Sequence, residues 1–367
     1  QGPRIFIQED HSNQLVAVKA IYKGGLLLEN ETNQGINNLI AQLLTMGTKN
    51  RSSTVIAAQI DAMASSIEGF SGRNSLGLEG LFLSQLFENG FDIFWDSLFF
   101  PAFDFEETQK AKTLTLEEIR TFEDHLSSYA FQQFSEVLYE THPYRFPIHG
   151  IAKTVEQFTP TDLKKYYFSH YHPRDLVIVI VGDVNVSHIM NLIQEKYKSL
   201  RYPKSEMPLA TLPEKEKPLL TVKKKVVHKN KEQAHLVIGF PGITIDSPNR
   251  FAFEVLSSVL SGMSGRLFQE LREKQSLAYT VTSFSLEGVD PGFFALYMGT
   301  SPFKVEEAHA GLMSELKKLK QGSISSEELI RAQNYLTGVH EIGLQKVSAR
   351  ASTIATSVVY GLGYDEY

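Results

Sequence analysis

Hydrophobic residues recur along this chain in two rhythms. Continuous or alternating β-branched runs at residues 15–20, 176–181 and 236–240 predict strands. Residues 306–320 and 326–344 instead set apolar side chains three and four apart, the repeat of a helix buried along one face. Ser325 or Ser326 followed by Glu328 supplies a start for the later helix, and Gly322 a stop for the earlier one. The order of elements occurs twice. RIFIQED and LVAVKAIYKGG, both strand-like, precede a helix in GINNLIAQLL. Later, the strand-like LLTVKKKVVHK and AHLVIGFPG precede helices in FAFEVLSSVLSG and SGRLFQELREK. Duplication of one α/β unit is the economical reading. The expected class is α+β: two homologous domains, each an antiparallel-rich mixed sheet with helices packed on one face.

Between the repeats, PKSEMPLATLPEKEKP at residues 203–218 sets a proline at every fifth position among charges, which blocks helix and discourages a central strand. The chain is therefore expected to divide into a first domain at 1–202, a linker at 203–218 and a second domain at 219–367.

Composition narrows the function classes. The 367 residues, 42% hydrophobic and 21% charged, suffice for two full cores. A net charge of −6 argues against a general binder of nucleic acid or anionic membranes, which need positive faces. The KKK run at 223–225 lies near Glu214, Glu216 and Glu232 and reads as a solvated strand edge. No apolar stretch approaches the ~18 residues of a membrane span. With no cysteine there is neither disulfide nor thiolate chemistry. The compartment stays open between bacterial periplasm and cytoplasm.

The candidate chemistry sits in SGMSGRLFQELREKQSLAYT. Arg272 and Tyr279 stand seven residues apart across a helix-to-strand junction. A permanently charged fork of donors and a phenolic donor together suit a polarised carbonyl or a developing oxyanion. Taken alone, the pair also fits a plainer reading, in which the arginine caps a helix dipole or makes a surface ion pair and the tyrosine is half-buried packing. Among 11 histidines, no pair has the i, i+4 helical spacing with an intervening acid that a two-imidazole metal site needs. His170 and His172 precede a very apolar strand and read as the aromatic edge of a core.

The Leu-Arg-Glu-Lys-x-x-Leu-Ala-Tyr segment resembles a signature of the pitrilysin-like (M16, inverzincin) zinc peptidases. Further matches lie at residues 35–48, 114–119, His142-Pro143-Tyr144 and 179–184, so the similarity runs from about Arg4 to the last residue. Inverzincins hold zinc with H-x-x-E-H on one helical face and a later Glu. Here Asn38, Ala41 and Gln42 occupy the His, Glu and His positions, and Glu118 matches the later Glu. Carboxamides are poor zinc ligands beside imidazole, and a methyl group accepts no proton. No catalytic metal is therefore expected on this chain, and Glu118 reads as a helix-surface or ion-pair residue.

The resemblance implies the M16/LuxS-like metallohydrolase fold and a catalytically incomplete subunit or half. Its partner would carry H-x-x-E-H and the zinc, while Arg272 and Tyr279 would serve a peptide substrate and its oxyanion in trans. It further implies that relatives continue past Tyr367 into another helix and strand, so the second domain is expected to be truncated. Residues 67–74 fall where active relatives carry substrate-facing strand residues; here they read as a plain hairpin turn. The rival from another class is a non-catalytic scaffold or peptide-binding protein, similar to the core subunits of respiratory complexes. In isolation a homodimer is also open. An autonomous hydrolase finds no support, because neither a G-x-S-x-G elbow nor a P-loop occurs.

Overall fold

The computed structural model describes residues 2–200, 213–322 and 324–365. In chain order the strands are β1 (Arg4–Glu9), β2 (Leu15–Lys23), β3 (Ser66–Ser71), β4 (Ser75–Leu83), β5 (Val177–Gly182), β6 (Ala234–Pro241), β7 (Thr280–Leu286) and β8 (Phe293–Thr300). The first six helices are α1 (Ile36–Leu43), α2 (Ser53–Ala62), α3 (Phe87–Phe99), α4 (Phe105–Phe122), α5 (Leu126–Leu138) and α6 (Ala152–Val155). There follow α7 (Pro160–His170), α8 (Val186–Ser199), α9 (Arg250–Leu260), α10 (Val305–Lys320), α11 (Ser326–Gly343) and α12 (Val347–Val359). Two compact units result. The first holds residues 1–120, 146–213 and 343–367, the second residues 121–145 and 214–342.

The first unit is built on a five-stranded sheet of order β1-β5-β2-β4-β3, parallel only between β1 and β5. β5 reads VIVIVG and is buried throughout, because it lies between two strands and both faces are covered. Strand alternation decides which residue goes where. Val16, Val18, Ala20, Ile178 and Ile180 face a core shared with α1, α3, α7 and α8. Ala17, Ile21, Val177, Val179 and Val181 face the opposite way, onto Val347, Ala351, Ile354, Ala355 and Val358 of α12. The α+β class with antiparallel-rich sheets is as expected, and α12 adds a cover on the second face.

The second unit carries a three-stranded antiparallel sheet, β6-β8-β7. On one side Phe294, Leu296 and Met298 of β8 join Leu260, Leu267, Leu271, Ala308 and Leu312. On the other, Phe131 and Phe134 of α5 pack against Phe284, Phe293 and Tyr297. The duplication is visible in element lengths. An 18-residue helix followed by a 13-residue helix occurs twice, as α4 with α5 and as α11 with α12. In each case the shorter helix belongs to the unit of the other repeat's sheet.

Two expected elements differ from the structure. Residues 219–229, expected as a strand, form none. Their lysines are drawn instead to acids around α5, Lys223 to Glu140, Lys225 to Glu136 and Lys229 to Glu123. The solvated strand edge expected at 223–225 is therefore corrected to a row of ion pairs. Residues 67–74 are not all turn: 67–71 belong to β3, paired with β4, and only 72–74 form the connection. Gly69 serves packing. A Cβ at Gly69 would sit 1.9 Å from the Ala41 carbonyl oxygen, so this edge strand touches α1 only because it has a glycine there. Of the proline-rich linker, 203–212 lie outside the described residues and 213–218 adopt neither helix nor strand.

Candidate functional site

Asn38, Ala41, Gln42 and Glu118 belong to the first unit, Arg272 and Tyr279 to the second. The first group starts from the way α1 is anchored. Gly35 precedes the helix at φ 86°, a left-handed conformation that suits glycine, and a Cβ there would meet the backbone of His149 and Gly150. The Glu29 carboxylate accepts from the Gly35 N–H at 2.7 Å and the Asn37 N–H at 3.1 Å, occupying donors that a helix start leaves open. Asn37 donates to the same carboxylate at 3.0 Å and to the Gly25 carbonyl at 2.9 Å, while the Tyr171 hydroxyl donates to its side-chain oxygen. Burial of Glu29 outweighs these donors and pushes its carboxyl up to about 7.

One turn further, α1 presents the altered positions. The Asn38 amide nitrogen is shielded from solvent and has no hydrogen-bond partner among the described residues. Ala41 is buried against β3. Gln42 donates its amide at 3.1 Å to the hydroxyl of Thr115, a fully buried residue of α4. Glu118, one turn after Thr115, is exposed. Two carboxamides, a methyl group and one carboxylate do not fit a divalent zinc, which takes imidazole, thiolate or carboxylate donors. Gln42 has also committed its amide elsewhere. Among the described residues, no group of three or more His, Cys, Asp or Glu side chains is arranged to hold a metal ion.

The second group occupies a clamped connection. Arg272 lies in a π-helical stretch, Phe268–Glu273, that follows the glycine-rich turn. Wide turns of this kind recur at functional positions in helices. The chain leaves the helix through Ser276 at φ 49°, whose N–H donates to the Arg272 carbonyl at 3.0 Å, and the Leu277 N–H donates to the Leu271 carbonyl at 2.8 Å. The hydroxyl of buried Thr300 donates to the Leu277 carbonyl, and the Tyr279 N–H to the Gly299 carbonyl at 2.8 Å. Backbone on either side of both residues is thereby held against the β8 end and its own helix. The side chains are not. Tyr279 is 57% exposed and its hydroxyl has no hydrogen-bond partner among the described residues. The Arg272 guanidinium lies over the Phe268 ring, 4.7 Å from its centre, with Glu273 no nearer than 3.9 Å.

Phe268 escaped the sequence reading because a phenylalanine in an amphipathic helix signals core first. Its i to i+4 relation to Arg272 was the available clue. His142 and His172 are buried and His170 is part-buried. His170 stacks on Tyr166 at 4.0 Å, and buried His142 accepts from the Tyr144 N–H at Nδ1, leaving Nε2 to donate to Asp290 at 3.0 Å.

Comparison with known proteins bears on the family and the fold. Residues 4–150 match the family described as insulinase (peptidase family M16), and residues 157–336 match the M16 inactive domain. An uncharacterised zinc protease of Bacillus subtilis, YmxG, is 28% identical over 96% of this chain and 84% of its own length. A second, from Streptomyces coelicolor, is 28% identical over 88% of this chain and 71% of its own. A protease from Helicobacter pylori superposes with a TM-score of 0.89 at 21% identity, over 97% of this chain and 87% of that one. An M16 inactive domain from Pseudomonas fluorescens does so at 0.86 and 19%, over 98% and 86%. At these identities the two solved structures speak for the fold, and the paired family matches speak for descent. The chain belongs to peptidase family M16.

Proposed function

We propose that this chain is the zinc-lacking, donor-bearing member of a two-part M16 peptidase, paired with a subunit or half that carries H-x-x-E-H. The reading rests on one contrast. Every position matching the helical zinc motif carries a side chain that cannot serve, whereas Arg272 and Tyr279 are exposed, backbone-clamped and uncommitted to strong partners. Metal chemistry then belongs to the partner. On this chain the Tyr279 O–H donates to the oxygen of a peptide carbonyl as it gains charge, and the Arg272 guanidinium donates in-plane N–H groups to a neighbouring carbonyl of the same peptide. Preorganised donors matter most where charge develops, and removing one costs on the order of 100-fold in turnover.

The experiment is reconstitution. The purified chain, a candidate H-x-x-E-H-bearing M16 subunit and their mixture are each given a quenched fluorescent peptide, and zinc is measured on each component. The expected result is turnover only in the mixture, with zinc on the partner. Turnover or stoichiometric zinc with this chain alone defeats the proposal, and a mixture no faster than the partner favours the scaffold reading.

A further inference from the structure

Arg272 raises a question that the donor role alone does not answer. A long exposed side chain has many rotamers, and an arginine that must present its fork in one direction needs something to hold it. The nearby acid is poorly suited. Glu273 approaches Nε only to 3.9 Å, outside hydrogen-bond reach, and both side chains are about half exposed, at 46% and 54%. The aromatic ring is better suited. Phe268 is partly buried and packs against the core of the second unit, so its ring is fixed by residues that do not move with the arginine. The guanidinium carbon lies 4.7 Å from the ring centre, within the ~6 Å range of a cation–π contact.

We infer that Phe268 is the positioning residue of Arg272, orienting the guanidinium through the face of its ring; this rests on the donor role proposed above. The chemistry favours a ring over an acid at this place. An ion pair would occupy N–H donors, whereas contact with a π face leaves the in-plane donors available for a carbonyl. The π-helical stretch contains both residues, Phe268 opening it and Arg272 one from its end.

The test varies the ring's charge distribution without altering its shape. Phe268 is replaced by mono-, di- and trifluorinated phenylalanine, and kcat/KM of the reconstituted pair is measured for each. A cation–π contact at a half-exposed site is worth a few-fold, so kcat/KM is expected to fall stepwise with fluorination, by about fivefold in total. F268Y should stay within about twofold of wild type by the same reasoning, and F268L should lose about as much as the last fluorinated member. In an R272A background the F268L change should have no further effect, because the two residues act as one unit. A flat response to fluorination, or equal F268L losses with and without Arg272, overturns the inference and assigns Phe268 to packing alone. A separate arm needs no partner. NMR of the Arg272 side chain in the isolated chain should show ring-current shifts that vanish in F268L, and their absence from wild type overturns the contact itself. If R272A leaves turnover unchanged while those shifts are present, the donor role fails and the contact stands.

Discussion

At the residue scale, buried Glu29 has the clearest measurable consequence. Its folded carboxyl titrates near 7 because burial disfavours the charge, against an ordinary value of 4.5. The folded chain therefore keeps a proton that the unfolded chain releases as pH rises above about 4.5, and stability falls with pH through that window. The contribution is fully present below the unfolded value and is lost by pH about 7, amounting to about 3 kcal/mol across the window. Tyr166 and Tyr171, which with Glu29 hydrogen-bond to Asn37, are pushed upward by burial and by Glu29 and stay neutral across the same range. Urea unfolding from pH 4.5 to 7.5 should accordingly show wild type losing stability with rising pH relative to Glu29→Gln; parallel curves would refute the assignment. Gln42→Leu should cost about 1 kcal/mol, the worth of one hydrogen bond to a buried hydroxyl, read as a lower urea midpoint. The placement of Arg272 at a helix end and Tyr279 just before a strand was legible in the sequence. The support beneath them was not, since Thr300 and Phe268 act through contacts that no linear pattern records.

At the element scale, strands buried on both faces were easy to read. β2 and β5 place every second residue in one of two cores, and both announce themselves as β-branched runs. Residues 219–229 also contain valines and a threonine, yet no strand forms, because a ladder requires a neighbour and their lysines pair with the acids around α5. β3 was misread in the other direction. Its glycine marks a close approach to α1, which local composition cannot distinguish from a turn. The close approach is testable. Gly69→Ala puts a methyl against the Ala41 carbonyl and should cost about 2 kcal/mol or more by forcing β3 from α1. A midpoint unchanged within error in denaturant would show that the strand has slack.

At the scale of the whole molecule, the duplicated plan is completed by segments distant in sequence, with α12 closing one face of the first unit's sheet and α5 one face of the second's. Neither helix was among those read from the sequence, and helical periodicity carries no information about which sheet a helix covers. Ala355 is fully buried in the α12 face, so Ala355→Asp leaves an unpaired charge among valines and should cost more than about 3 kcal/mol, seen as loss of cooperative unfolding or of soluble protein. The first unit's α1 carries Asn38, Ala41 and Gln42, and the second unit carries exposed Arg272 and Tyr279. The most direct test of what that asymmetry is for is Tyr279→Phe in the reconstituted pair, with kcat and the assembly constant measured together. The account predicts a fall in kcat on the order of 100-fold with assembly unchanged; an unaltered kcat would contradict it.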